Sequence, residues 1–201
     1  MTAIDSKKTI INLAVKLNSY YFNHWPYLKI YYNNQEIFND QIINTADLCF
    51  ILTCTDTNTL RFVHYGKKFG EDNIWDSDAE GKQNCYLEIK DIIFNDISVI
   101  DAILPSLEFI THWTPTQLKS NNDFIVQNNK FFSHGTMGFN GEITVEFTTP
   151  IYNWLIDKKF KLPLKETAYF SDYSSRWHYE EDIKLLEEIK ALIKYDKNRS
   201  N

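Results

Sequence analysis

The feature that most limits what this chain can fold into is a series of period-two segments with no helix-period segment between them. Ile11, Leu13, Val15 and Leu17 alternate with Asn12, Ala14, Lys16 and Asn18. Successive strand side chains point to opposite faces, so this is a strand with one buried and one wet side. Tyr27 to Tyr32 reads as a second strand and Gln35 to Ile43 as its return. Asn33-Asn34 is the turn between them, because Asn tolerates the left-handed backbone that tight hairpins need. Leu48 to Leu52 is a short continuous apolar run, which predicts a strand buried on both faces. Leu60, Phe62 and His64 face away from Arg61, Val63 and Tyr65. Cys85, Leu87 and Ile89 face away from Tyr86, Glu88 and Lys90. Asn95-Asp96 is a turn, Ile97 to Ile100 a short strand, and Leu107 to Ile110 another.

Beyond residue 110 the pattern loosens. Phe124 to Val126 and Lys130 to Phe132 flank Asn128-Asn129 as a hairpin candidate. Asn140-Gly141 is the strongest hairpin signal in the chain and leads into Ile143, Val145 and Phe147. Ser133-His134 beside Gly135 reads as a turn. Thr149-Pro150 reads as the N-cap and first position of a short helix over 151–158. Residues 159–179 are rich in aromatics without a period. A second helix is predicted from about Glu180 to Tyr195, with Ile183, Leu186, Ile189 and Ile193 as its apolar stripe. Close-spaced strands without β-α alternation specify a mainly β protein, an antiparallel β-sandwich of jelly-roll type with these two helices. The expected division is a sandwich over residues 1–158 and an aromatic-rich arm with the C-terminal helix over 159–201, packed on the sandwich or on a neighbour.

Charge and composition narrow the function. The net charge is −6 and the arginines are three, Arg61, Arg176 and Arg199. An acidic, arginine-poor chain is a poor binder of a phosphate backbone, so nucleic acid is not an expected partner. No apolar run approaches the ~20 residues of a membrane-spanning helix, so neither is a membrane. The start, Met1 to Lys8, lacks the apolar core of a secretory signal. Cys49, Cys54 and Cys85 include no C-x-x-C pair, and the expected reading is small buried hydrophobes in a reducing compartment. Abundant Ile, Asn, Lys, Tyr and Phe, all with AT-rich codons, point to an AT-rich viral or bacterial genome.

Catalytic signatures are missing: no H-E-x-x-H, no G-x-S-x-G and no P-loop occur. Three of the five histidines adjoin tryptophan, at His24-Trp25, His112-Trp113 and Trp177-His178, and read as packing pairs. The candidate site is the loop from Gly66 to Gly81, where periodicity vanishes. Asp76, Asp78 and Glu80 alternate ahead of Gly81, as hard oxygen ligands do at the start of a calcium loop. No helix comes after it and the twelfth position is Leu87, so an EF-hand is rejected. A calcium ion held by Asp72, Asp76, Asp78 or Glu80 competes with a plain solvated loop. Trp75 lies among these carboxylates. An indole offers a face to the C–H side of a sugar, while Asn73 and Asp76 can bond its hydroxyls. Trp75, Asn73 and Asp76 are therefore the candidate glycan-binding residues, against the alternative that Trp75 caps the core. The enzymatic alternative is a glycan-active hydrolase with a carboxylate pair drawn from Asp72, Asp76, Asp78 or Glu88.

Two resemblances add to this. The segments Tyr27–Phe38, Leu60–Lys67 and Cys85–Ile92 resemble the strand pattern of carbohydrate-binding-module-like β-sandwiches, over about residues 27 to 100. The motifs Tyr65–Asp76, Gly135–Gly141 and Thr149–Leu155 are similar to uncharacterised proteins of T4-like phages of cyanobacteria, over most of the chain. These resemblances imply a non-enzymatic structural protein of a phage virion, made in the host cytoplasm, acting in assembly and carrying a glycan-binding face. Its implied partners are other virion proteins or itself and a surface glycan, with calcium as the candidate cofactor. The alternatives are the hydrolase or a calcium-dependent carbohydrate-binding module.

Overall fold

The computed structural model describes residues 8–68, 72–74, 83–115, 118 and 129–161. Its strands are β1 (Thr9–Tyr20), β2 (Tyr27–Tyr32), β3 (Gln35–Gln41), β4 (Thr45–Cys54), β5 (Thr57–Tyr65), β6 (Asn73–Ile74), β7 (Gln83–Asn84), β8 (Tyr86–Phe94) and β9 (Ile97–Ser98). A single helical turn, α1 (Ile100–Ile103), precedes β10 (Glu108–Thr111), β11 (Lys130–Phe132), β12 (Thr136–Met137) and β13 (Gly141–Thr148), and α2 (Ile151–Lys161) closes the described part. The chain divides into two compact units, residues 1–159 and 160–201, and the strands all belong to the first.

This first unit is an antiparallel β-sandwich. One sheet runs β12-β8-β1-β4, with β9 added to β8; the other runs β11-β10-β13-β5-β2-β3. The chain passes repeatedly from one sheet to the other, so neighbours in sequence are often partners across the core. The two inner faces meet in one apolar cluster that includes Leu13, Val15, Leu28, Ile30, Phe62, Leu87, Phe94, Phe109, Ile143 and Phe147. Phe94 of one sheet lies against Phe147 of the other, ring centroids 4.6 Å apart. Burying a side chain of this size stabilises the fold by roughly 2–3 kcal/mol. Helix α2 adds Ile151 and Trp154 to the same cluster.

The period-two segments form as their alternation requires. In β1 the odd positions Ile11 to Leu17 are buried, and in β5 Leu60, Phe62 and His64 are buried together. Asn33-Asn34 and Asn95-Asp96 are two-residue turns with φ of 45°, 67°, 46° and 66°, the left-handed pair that matches strand twist. His134 and Gly135 turn in the same region of φ, at 48° and 83°.

Five expectations are corrected. Leu48–Leu52 is not buried on both faces: β4 is an edge strand whose described pairing is with β1 alone, and Cys49 and Ile51 stand in solvent. Cys49 is thus exposed, while Cys54 and Cys85 are buried as expected. Asn140-Gly141 makes no hairpin, because β12 pairs with β8 in the opposite sheet from β13. Gly141 is there for proximity: a Cβ would lie 2.3 Å from the Ile110 carbonyl oxygen and 2.6 Å from the Phe109 ring. Thr149 does not cap α2. Its hydroxyl donates to the Thr55 carbonyl at 2.9 Å, and the Pro150 carbonyl accepts from Asn153 N–H at 3.1 Å instead. The strand at Ile97 ends at Ser98, and Ile100 opens α1. The predicted helix over 180–195, the arm beyond residue 161 and the hairpin at Asn128 lie outside the described residues.

Candidate functional site

One end of the sandwich gathers the segments that carry chemistry. It is formed where β1 ends, β2 begins, β5 ends, β8 begins, β10 ends and β13 begins. The register fixes this coincidence: Tyr20 pairs with Tyr86, Tyr27 with Tyr65, and Gly141 with both His64 and Thr111. The connecting segments at this end contain His24, Gly66–Lys68, Asp72, Asn84-Cys85, His112–Thr114 and Gly138–Asn140.

Lys67 is the hub. It is 6% exposed, and its ammonium donates to the Cys85 carbonyl oxygen at 2.9 Å, to Asn84 Oδ1 and to the Gly138 carbonyl oxygen. Three donors meet three oxygens from two other segments, so the charge fastens the end of the sandwich. Burial draws the Lys67 pKa down to about 8, opposed by Cys85 and Asp72. Asn140 holds the same residue by its backbone. It accepts from Lys67 N–H at 2.9 Å and donates to Lys67 C=O at 2.7 Å. An amide that satisfies both peptide groups of one residue acts like a short piece of strand, which is what the Asn of the Asn-Gly pair does here in place of turning a hairpin.

Asp72, nominated as a metal ligand, is 3% exposed and already engaged. Its Oδ2 accepts from Lys68 N–H at 2.6 Å and lies 3.0 Å from His24 Nε2. Burial raises its pKa, yet the Lys68 amide and His24 outweigh this, and the net position is below the ordinary carboxylate value. The Gly66–Asn84 region is also more regular than its sequence suggests, since Asn73-Ile74 of β6 pairs with Gln83-Asn84 of β7. Asn73 therefore belongs to a small ladder. Trp75, Asp76, Asp78 and Glu80 lie outside the described residues. Among the described residues no group of three His, Cys, Asp or Glu side chains is placed to hold a metal ion. Glu88, the remaining hydrolase candidate, sits on β8 and takes hydrogen bonds from Lys90 at 2.7 Å and Tyr20 at 3.4 Å.

Cys85, His24 and Asp72 stand in the order of a nucleophile, base and orienting acid, with Cys85 Sγ 3.9 Å from His24 Nδ1. Two facts deny them that chemistry. Cys85 is fully buried, and burial pushes its thiol up to about 11, away from the reactive thiolate. His24 Nδ1 also lies 2.8 Å from the Trp25 carbonyl oxygen. A carbonyl only accepts, so that nitrogen carries a proton and cannot take one from sulfur. The three residues are a structural clasp between the β1–β2 connection and the Lys67 segment.

Beside the hub is a pocket of about 320 Å³ lined by Lys67, Lys68, His112, Trp113, Thr114, Phe139 and Asn140. Trp113 and Phe139 form its apolar wall, ring centroids 5.4 Å apart and inclined at 55°. His112 rises at the rim, 3.4 Å from Glu142 through Nε2. Sequence reasoning passes over these residues, because His112-Trp113 reads as a packing pair and Asn140-Gly141 as a hairpin. The one available signal is a Trp beside polar residues just after a strand, which recurs elsewhere in the chain.

No family model and no curated protein matches the chain. Solved structures similar to it include the selenomethionine form of vCBM60, described with two families of calcium-dependent carbohydrate-binding modules linked by circular permutation. That match has a TM-score of 0.39 and 10% identity over 67% of this chain and 88% of the other. A second is vCBM60 in complex with galactobiose, with a TM-score of 0.37 and 12% identity over 66% and 95% of the two chains.

Proposed function

We propose that this chain is a non-catalytic saccharide-binding β-sandwich, and that the sugar sits in the pocket between Lys68, His112–Thr114 and Phe139-Asn140. The observation that carries the reading is the lining itself: two inclined aromatic rings together with residues that bear amide, hydroxyl, imidazole and ammonium groups. A pyranose has both kinds of surface, apolar C–H faces and hydroxyls, and the aromatic rings suit the first while the polar groups of the lining suit the second. At about 320 Å³ the pocket is at the small end of ligand sites, which fits a short terminal saccharide better than a buried cofactor. The Cys85–His24–Asp72 group supports the non-catalytic part, because its thiol is buried and its imidazole is committed.

The vCBM60 likeness is too slight to add weight, and for a virion setting the support is the sequence resemblance alone. Calcium is a separate question. Asp72 is committed to His24 and Lys68, so the calcium reading rests on the sequence pattern Asp76, Asp78 and Glu80.

The test is a glycan array with calcium and again with a chelator, followed by titration of the best binder. Trp113→Ala is expected to weaken that binder by about five- to thirtyfold, since stacking on one indole is worth on the order of 1–2 kcal/mol. An array silent under both conditions overturns the reading. Binding that survives Trp113→Ala moves the site elsewhere.

A further inference from the structure

The two sheets differ in how their edges are finished. In the larger sheet β11 is three residues long. At its opposite edge β3 carries Glu36 and Asp40, and the β2–β3 register is broken by a bulge at Ile30/Tyr31. In the other sheet β12 is two residues long. Short strands, charges and bulges are how sheet edges avoid pairing with a stranger. β4 is neither short nor bulged. It is ten residues long, pairs without a break along β1, contains no Pro or Lys and carries one charge, Asp47.

Its side chains are unfinished in the same place. On the outer face Ile51 is 78% exposed, and Ile10 on the neighbouring strand is 69% exposed. A shallow groove of about 420 Å³ runs along this face past Ala14, Cys49, Ile51 and Ile93. On the inner face Leu48 and Phe50 touch the core but remain half-buried. The Thr53 carbonyl is taken by Tyr32 Oη at 2.9 Å. Thr53 therefore turns its backbone to the edge, and by alternation so do Thr45, Asp47, Cys49 and Ile51.

We propose that β4 pairs with β4 of a second copy of this chain, antiparallel about a twofold axis, joining two sandwiches through one continuous sheet. A strand edge needs another strand, because its exposed amides and carbonyls have directions that only a parallel or antiparallel ladder meets. The second copy is the fitting occupant for three reasons. The β4 edge is almost neutral, so a copy of it meets little like-charge repulsion. The other long edge, β3, is acidic and bulged and cannot receive it. A twofold pairing also uses both β4 edges at once and closes at two, with no edge left to extend. Leu48 and Phe50 would be covered by the partner's same residues. This inference does not depend on the saccharide pocket, which is built from other segments.

The stretch Thr45–Ile51, whose outer edge has no strand partner among the described residues, places the axis at or near residues 48–50, so Cys49 of each copy lies within about two positions of the other. Cys49 is the exposed thiol of the three. The experiment is sedimentation or light scattering of the full chain at tens of micromolar under reducing conditions, with a short bis-maleimide added in a parallel sample. A dimer is expected, cross-linked through Cys49. Cys49→Ser should remain dimeric and lose the cross-link. Ile51→Glu should be monomeric with an unchanged circular dichroism spectrum, because its side chain stands in solvent and its carboxylate would face the partner's Asp47. A monomeric wild type overturns the proposal, including the case where another segment of the same chain covers the edge. So does a dimer that persists in Ile51→Glu, or a cross-link that persists in Cys49→Ser.

Discussion

His64 shows how one residue can govern the molecule's response to acid. The ring is completely buried on β5, and its Nδ1 lies 2.7 Å from the Phe139 carbonyl. Burial, reinforced by the nearby Lys67 charge, draws its pKa from 6.5 to about 3. In the unfolded chain the imidazole takes up a proton near its ordinary pKa, whereas in the fold it stays neutral. Between pH 6.5 and about 3 the unfolded state therefore binds more protons, and stability falls as the pH falls. The loss is roughly 2 kcal/mol by pH 5. Asp72 acts in a lower window. Its folded pKa lies below the ordinary value, so its contribution is present above about pH 4 and is lost only below it. His64→Gln keeps a donor for Phe139 and removes the titration. Urea unfolding of both proteins between pH 7 and 4.5 should give a steep decline for the wild type and a shallow one for the variant. Equal slopes would mean that another group sets the acid response.

At the scale of elements, two glycines separated by two residues make opposite demands. Gly141 opens β13, where a Cβ would meet the Ile110 carbonyl oxygen at 2.3 Å and the Phe109 ring. Neither can retreat without opening the β10–β13 pair, since Phe109 is fully buried in the core. Gly138 has open space, with only Asn84 Nδ2 at 3.8 Å. Gly141→Ala is expected to destabilise by about 2–3 kcal/mol, and Gly138→Ala by much less, in thermal or urea unfolding. Similar losses at both positions would contradict the close approach. The same glycine shows where sequence reading stops. The Asn33-Asn34 turn is legible because its backbone demand is local, and the buried face of β1 because alternation is local. Whether Asn140-Gly141 turns a hairpin depends on which sheet β12 joins, and that is decided by partners far along the chain. The apolar run at Leu48–Leu52 misleads for the same reason: apolar residues on both faces fit a central strand or an edge that awaits a partner. The pocket is hidden more deeply, because Lys68, Trp113 and Asn140 come from three segments that only the completed sandwich brings together.

The whole molecule poses the question of how much chain the sandwich needs. The members of the described core cluster lie between Ile11 and Trp154, and the last of them arrive with α2. Trp154 is 5% exposed and meets Phe147 edge-on at 6.2 Å, and Ile151 is 6% exposed. Helix α2 is thus a lid on the core, and removing it would uncover the Phe94–Phe147 contact that joins the sheets. A chain ending at Lys161 retains this lid, β4 and the pocket. It is expected to unfold in one cooperative urea transition. Trp154→Ala in that background should lower stability by about 3–5 kcal/mol, as the loss of a buried aromatic does. The shortened chain also separates two accounts of assembly. If the aromatic-rich arm joins copies, as the sequence suggests, truncation should give monomers. If β4 joins them, the shortened chain should sediment as the same dimer that the full chain forms. A non-cooperative transition would show that residues 162–201 supply part of the core, because a sandwich whose apolar faces already meet across both sheets has no other cause to lose cooperativity on their removal.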